Sequence, residues 1–174
     1  MNTAKQNDLL IIGAGAAGLM CALSAAKRGR SVCIIDHNTK PAEKIRISGG
    51  GRCNFTNVHT HPSNYLSNNP RFCISALSRY TPQHFLAMVK AHGIAYHEKK
   101  LGQLFCDGSA MQIIDMLMRE CSDSGVQIHL GTSVSEVTKP DSQFYITTSA
   151  GMWKAGALVV ASGGLSIPKM GATG

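Results

Sequence analysis

The sequence predicts an α/β fold: a doubly wound, mainly parallel sheet with a β-meander as one crossover and a helical excursion. Three observations predict it. Residues 8–12 (DLLII) and 31–35 (SVCII) are short, continuous apolar runs, the pattern of parallel strands buried on both faces. Small and apolar residues recur at helical spacing over residues 17–27, and a glycine-rich turn separates that helix from the first strand. Far along the chain, residues 157–161 (ALVVA) supply a further buried strand, ending at Ser162-Gly163-Gly164.

The first helix stops at Gly29, a natural left-handed cap, and Asp36 closes the second strand. Over residues 41–70 the periodicity disappears and glycine, asparagine, serine and histidine dominate, which predicts an extended functional loop. Thr81-Pro82 reads as an N-cap and first-turn proline for a helix with Phe85, Met88 and Val89 on one face, stopped at Gly93. Ser109 with Gln112 spells a capping box for a second amphipathic helix carrying Ile113, Ile114, Leu117 and Cys121 and ending near Gly125. These helices make residues 68–125 the helical excursion. Residues 126–130, 132–138 and 144–148 read as strands separated by turns, a small antiparallel meander with a turn near Gly151. Trp153 and the methionines of the second helix read as core. No internal repeat is visible.

At 174 residues and 44% hydrophobic composition the chain can bury a core. Seventeen Lys and Arg against ten Asp and Glu give a formal charge of +7, compatible with nucleic acid, an anionic surface or a polyanionic cofactor. The basic residues are scattered, without a run of the kind found in nucleic-acid-binding tails, so a cofactor is expected and a nucleic-acid partner is not. The six cysteines contain no C-x-x-C pair, which speaks against a zinc knuckle or dithiol motif and for a reduced, cytoplasmic protein. The uncharged stretch 9–26 approaches the length of a membrane span, but Gly13, Gly15 and Gly18 break it into strand and helix, so no membrane partner is expected.

Gly13-Ala14-Gly15-Ala16-Ala17-Gly18 is a G-x-G-x-x-G placed after a strand and before a helix. Gly13 permits the tight turn, Gly15 lets backbone approach a pyrophosphate, and Gly18 lets helix and strand pack closely. The helix N-terminus at Ala16 and Ala17 would turn its unpaired N–H groups and positive dipole end toward phosphates. Asp36 is placed to accept hydrogen bonds from an adenosine ribose, which favours FAD or NAD over NADP. A glycine-rich packing turn without a ligand is the competing reading. A second element, KIRISGGGRCNFTN, runs from Lys44 to Asn57. Its glycines Gly49, Gly50 and Gly51 expose backbone N–H groups, Ser48, Asn54, Thr56 and Asn57 supply neutral donors and acceptors, and Lys44 and Arg52 add charge. A plain surface loop would share this composition.

These elements, with ASGGLSIPKMGATG at residues 161–174, resemble the bacterial NAD(P)/FAD-dependent oxidoreductases of the YhiN/BaiN-like (HI0933-like) group, in order and spacing, over essentially the whole chain. The resemblance implies an FAD-binding Rossmann-type fold. It implies that Gly13, Gly15, Gly18, Asp36, Lys44 and the loop Ser48, Gly49, Gly50, Gly51, Arg52, Cys53, Asn54, Thr56 and Asn57 line the FAD. Val134 would offer backbone to the adenine end, and Ala161, Ser162, Gly163 and Gly164 would pass near the pyrophosphate. Where the group usually has G-R-h-F-P, this chain has Gly102-Gln103-Leu104-Phe105-Cys106. Members of the group continue past the last element into a substrate-side region, so residues 1–174 are expected to be the N-terminal portion of an FAD/NAD(P)-binding domain.

Cys53 lies beside the expected flavin loop, but the next cysteine along the chain is Cys73, so a dithiol relay is not expected and a structural or flavin-contacting thiol is. His59 and His61 lack neighbouring ligands, and no metal is expected. The function expected is an FAD-dependent oxidoreductase that passes a hydride from NAD(P)H through FAD to a small organic acceptor, steroid-like or otherwise unsaturated. The catalytic acid and base are not identified. Two alternatives stand beside it: a non-catalytic FAD-binding fragment, and an FAD-dependent protein modifying tRNA.

Overall fold

The computed structural model describes residues 4–164, and the element S-x-P-x-x-G-x-T-G expected at residues 166–174 lies outside them. In chain order the elements are β1 (Lys5–Ile12), α1 (Ala16–Ala26), β2 (Val32–Ile35), α2 (Glu43–Ile47), a 3-10 turn (Ser48–Gly51), β3 (Asn54–Asn57), a second 3-10 turn (Pro62–Asn64), α3 (Ile74–Arg79) and α4 (Pro82–Ala91). They continue with β4 (Tyr96–Glu98), β5 (Gln103–Cys106), α5 (Met111–Asp123), β6 (Gln127–His129), β7 (Val134–Thr138), β8 (Phe144–Thr148) and β9 (Gly151–Val160). The chain divides into two compact units, one of residues 1–44 with 117–174 and one of residues 45–116.

The first unit is the Rossmann-type body, with a six-stranded sheet in the order β6-β2-β1-β9-β8-β7. The apolar runs fix its centre. Every residue of β2 is buried, and Leu10 and Ile11 of β1 are fully enclosed, because parallel strands in mid-sheet have no face left for water. β1 runs parallel to β2, pairing Leu9 with Val32, and parallel to β9, pairing Leu9 with Ala157. β9 also pairs antiparallel with β8, Ile146 facing Trp153, so one ten-residue strand joins the parallel core to the meander. Leu10, Cys33, Ile35, Ile146, Trp153 and Ala155 form one buried cluster across that junction. On α1, Gly18, Leu19, Ala22 and Leu23 are buried, and the Cys121 thiol of α5 donates to the Leu19 carbonyl at 3.5 Å.

β6 departs from the expected topology. It pairs parallel with β2, Ile34 opposite Ile128, and does not belong to the meander, which consists of β7, β8 and β9. A three-residue strand with one inward apolar side chain carries no signal for its partner, so periodicity alone could not assign it.

The second unit contains a three-stranded antiparallel sheet, β3-β5-β4, that corrects two expectations. Residues 41–70 are not one extended loop, since they hold α2, two 3-10 turns and β3. Residues 68–125 are not wholly helical, since β4 and β5 lie among them. These strands are three and four residues long, below the length at which alternation becomes legible. α4 begins where expected: Thr81 caps it, His84 reaches back to the Thr81 N–H, and Pro82 occupies the first turn. At α5 the Ser109 hydroxyl accepts from the Met111 N–H at 3.0 Å while Gln112 reaches back to the Ser109 N–H at 3.2 Å.

Candidate functional site

The glycine turn between β1 and α1 lies at the carboxyl ends of β1, β2 and β9, where open α/β sheets bind ligands. Its three glycines do different work. A Cβ on Gly13 would sit 2.4 Å from the Ala161 carbonyl oxygen, and one on Gly18 would sit 1.9 Å from the Gly13 oxygen, so both positions are closed by backbone. A Cβ on Gly15 would meet nothing within 4 Å. Gly15 is the N-cap of α1, whose N-terminus has no side-chain cap and no acidic residue in its first turn. The first N–H groups of a helix have no partner within it, so Ala16, Ala17 and Gly18 present donors and the positive dipole end at an open position. A pyrophosphate fits this donor set.

Asp36 is the anchor of the turn. Its Oδ2 accepts the Ala14 N–H at 2.6 Å and its Oδ1 accepts the Asn38 N–H at 2.8 Å, while its backbone N–H donates to the His129 carbonyl. Each carboxylate oxygen keeps a second lone pair, so a ribose hydroxyl can be added without displacing a protein donor. Residues 131–134 come to the same corner: the Thr132 N–H donates to the Asp36 carbonyl at 2.9 Å and the Gly131 N–H to the Asn38 carbonyl at 2.9 Å. Val134 follows as the first residue of β7, half-buried against the core.

Ala161 leaves β9 with its N–H on the Ile12 carbonyl, and the backbone of Ala161 and Ser162 passes against Gly13. The Lys44 ammonium donates to the Gly164 carbonyl at 3.0 Å and lies beside Gly163. The first unit thus brings Gly13, Gly15, Ala16, Ala17, Gly18, Asp36, Lys44 and residues 161–164 together. Sequence reasoning missed Ala42, which takes a left-handed φ of 57° and donates its N–H to the Ala14 carbonyl at 2.9 Å. An alanine gives no compositional hint of that conformation.

The loop of residues 48–57 belongs to the second unit. Gly49, Gly50 and Gly51 all have left-handed φ, and a Cβ on Gly49 would lie 2.7 Å from the Phe105 ring. The loop is tied down at several points: Cys53 N–H to Ser48 carbonyl, Ala110 N–H to Gly51 carbonyl and Cys106 N–H to Arg52 carbonyl. Asn57 holds two neighbours, donating to the Leu101 carbonyl and accepting the His59 N–H. Asn54 is exposed, and Thr56 and Asn57 are half-buried.

Gln103 and Cys106, which replace the Arg and Pro usual in the resembling group, begin and end the central strand β5. The pairing of Asn54 with Phe105 sets Cys53 beside Cys106, a partner that counting along the chain did not reveal. Burial pushes the Cys106 thiol up to about 11, with Cys53 and Asp107 adding to the shift. Burial also pushes the Cys53 thiol up, against the pull of its hydrogen bond with Ser48. Both stay protonated at neutral pH and are poor nucleophiles. His61 caps the second 3-10 turn through Ser63. Among the described residues no three His, Cys, Asp or Glu side chains converge as a metal site, and no helix is long and apolar enough to cross a membrane.

Curated relatives match over nearly the whole chain. Proteins of Escherichia coli (strain K12) and Haemophilus influenzae, both named ribosomal RNA dihydrouridine synthase, are 51% identical over 166 residues and 48% identical over 173. These matches cover 95% and 97% of this chain but 42% and 43% of the relatives. A Clostridium scindens protein named 3-dehydro-bile acid delta(4,6)-reductase is 26% identical over 97% of this chain and 42% of its own length. The chain therefore spans less than half the length of the curated relatives it matches. Among solved structures, a 3-ketosteroid-delta4-(5alpha)-dehydrogenase from Rhodococcus jostii RHA1 shares the fold with a TM-score of 0.66 at 13% identity, covering 94% of this chain and 47% of that one. Glycine oxidase from Geobacillus kaustophilus shares it with a TM-score of 0.59 at 16% identity, covering 91% of this chain and 55% of that one.

The expectation of no nucleic-acid partner is overturned by the two relatives named for ribosomal RNA. A scattered charge excludes a basic tail, but a folded surface can collect arginines that are far apart in sequence, which counting runs does not detect. The fold is that of FAD-binding oxidoreductases, and the model of the HI0933-like protein Rossmann domain matches residues 7–174. The chain belongs to that family.

Proposed function

We propose that this chain is the FAD-holding portion of a flavoenzyme that reduces a carbon–carbon double bond conjugated to a carbonyl, and that its substrate is a uridine of ribosomal RNA. NAD(P)H is the proposed source of the hydride. The observation that carries the reading is the 51% identity, over nearly the whole chain, to a relative named for dihydrouridine synthesis in ribosomal RNA. The relative named for bile-acid reduction stands at 26% over a similar span. Both names describe one chemistry. The C5=C6 bond of uracil is conjugated to the C4 carbonyl as a steroid enone is to its ketone, so each accepts hydride at the far carbon and a proton at the near one.

The residues present suit FAD. In this reading Gly15 and the N–H groups of Ala16, Ala17 and Gly18 take the pyrophosphate, Asp36 takes the adenosine ribose, and Val134 takes the adenine edge. Lys44 holds residues 161–164 in place through the Gly164 carbonyl. Bound FAD would supply hydride transfer, and the chain supplies position and the exclusion of water.

The test uses full-length protein, NADPH or NADH, and ribosomal RNA transcribed without modifications, with nucleosides analysed by mass spectrometry. Dihydrouridine should appear only with protein and reductant. Oxidation of NAD(P)H by a steroid enone with no dihydrouridine formed would leave the reductase and remove RNA as its substrate. A purified chain without flavin absorbance that also fails to take up added FAD would favour the non-catalytic fragment.

A further inference from the structure

No aspartate or glutamate occurs between Glu43 and Glu98, while Lys44, Arg46, Arg52, Arg71, Arg79 and Lys90 all fall in that interval. Within it the dipeptide Arg-aromatic occurs twice, as Arg71-Phe72 and Arg79-Tyr80, flanking α3 on either side. Phe72 is 83% exposed, Tyr65 49% and Tyr80 42%. Aromatic rings left in water at this density mark a surface built for a partner.

Hydrogen bonds hold the segments that carry Tyr65 and Phe72 together. The Pro62 carbonyl accepts both the Tyr65 N–H at 3.1 Å and the Cys73 thiol at 3.8 Å, so the turns carrying Tyr65 and Phe72 are adjacent. The short helix α3 separates Phe72 from Tyr80, six residues or about 9 Å of rise. The Tyr80 ring stacks on His84 at 5.6 Å between centroids, which fixes its plane. Arg71 and Arg79 are exposed, and neither makes an ion pair among the described residues.

We infer that Tyr65, Phe72 and Tyr80, with Arg71 and Arg79, form a platform for unpaired RNA, on which bases stack against the rings and the arginines meet the phosphates. Resting on the reading that ribosomal RNA is the substrate, it names the surface that holds the strand. Base stacking on aromatic rings tolerates any sequence, and arginines beside them track the backbone. The absence of carboxylates from residues 44–97 lowers the repulsion that a polyanion would otherwise meet. An apolar polypeptide would find Leu66 and Phe72 but would draw nothing from Arg71 and Arg79.

The test measures binding of a fluorescein-labelled oligouridylate to the full chain by anisotropy at several salt concentrations, with flavin absorbance as the check on folding. Phe72→Ala should weaken binding about tenfold and leave the salt dependence unchanged, since it removes stacking and no charge. Arg71→Ala with Arg79→Ala should weaken binding and make the slope of log K against log salt shallower by about 1.4. Arg28→Ala, an exposed arginine of the first unit, should match wild type. Dihydrouridine formation in ribosomal RNA is measured beside these. Binding by Phe72→Ala and by the double arginine variant within twofold of wild type overturns the platform, and dihydrouridine still formed by wild type then keeps the uridine reading. Dihydrouridine absent while the variants behave as expected keeps the platform and removes the reaction. Loss of self-association in Leu66→Ala with Phe72→Ala, at unchanged oligouridylate affinity, assigns the surface to a polypeptide and overturns the proposal.

Discussion

The Asp36 carboxylate accepts the Ala14 N–H at 2.6 Å and so ties the glycine turn to the end of β2. The same carboxylate takes the Asn38 N–H, so one side chain satisfies two backbone donors. Asp36→Asn replaces one acceptor oxygen with an amide NH2, which must face one of those N–H groups. An unpaired donor in a side chain only 11% exposed costs about 1–3 kcal/mol, and urea unfolding should read a loss of that size. FAD affinity should fall with it, because both the turn and the ribose acceptor are altered.

Gly15 and Gly18 separate the cradle from the fold. Gly15→Ala adds a Cβ where nothing lies within 4 Å, at a φ of −81° that alanine adopts freely. Stability should be unchanged or rise by up to about 1 kcal/mol, while FAD affinity, measured by fluorescence quenching, drops at least tenfold. Gly18→Ala drives a Cβ into the Gly13 carbonyl and should destabilise the chain by about 3 kcal/mol or more. Unchanged FAD binding in Gly15→Ala would remove the pyrophosphate from this turn.

Buried thiols make the chain alkali-sensitive. Burial pushes Cys33, Cys106 and Cys121 from 9.0 up to about 11. A thiol whose folded pKa lies above its unfolded one contributes stability that is present below pH 9 and lost as pH rises through 11. Each contributes on the order of 2 kcal/mol over that window. The urea midpoint should therefore fall steadily from pH 9 to pH 11, and less steeply in Cys121→Ala compared at the same pH values. At pH 7.5 iodoacetamide should spare Cys106 in the native chain and label the half-buried Cys21 and Cys73 first.

What could be read from sequence follows the length of each signal. The continuous runs around Leu10 and Ile34, the G-x-G-x-x-G and the capped helices α4 and α5 each reinforce one pattern over many residues, and they stand in the structure within one or two residues of their expected ends or, for β1, start earlier. The small sheet β3-β5-β4 has strands too short to alternate, so its pairing emerges only from tertiary contact. The same limit hid the neighbourhood of Cys53 and Cys106, which is created by the Asn54 to Phe105 register and not by spacing along the chain. Asp36 was legible as a strand-end acid, yet its role in holding Ala14 depends on the turn folding back across β2. The arginine and aromatic pairs around α3 are short and separate, and the surface they make appears once exposure is known.

Lys44 tests whether residues 161–164 belong to the cofactor site. Its ammonium reaches the Gly164 carbonyl at 3.0 Å, linking the start of α2 to the segment after β9. The bond is exposed, so Lys44→Met should change global stability by less than about 1 kcal/mol. Its effect should instead be local. Amide hydrogen exchange should accelerate at Ser162, Gly163 and Gly164, while the Ala161 N–H, held by the Ile12 carbonyl, keeps its protection. If this segment contributes to holding the pyrophosphate, FAD affinity falls in parallel with the faster exchange, and saturating FAD restores protection in wild type more than in the variant. Faster exchange with unchanged FAD affinity would leave Lys44 a strut of the β9 exit and release residues 161–164 from the site.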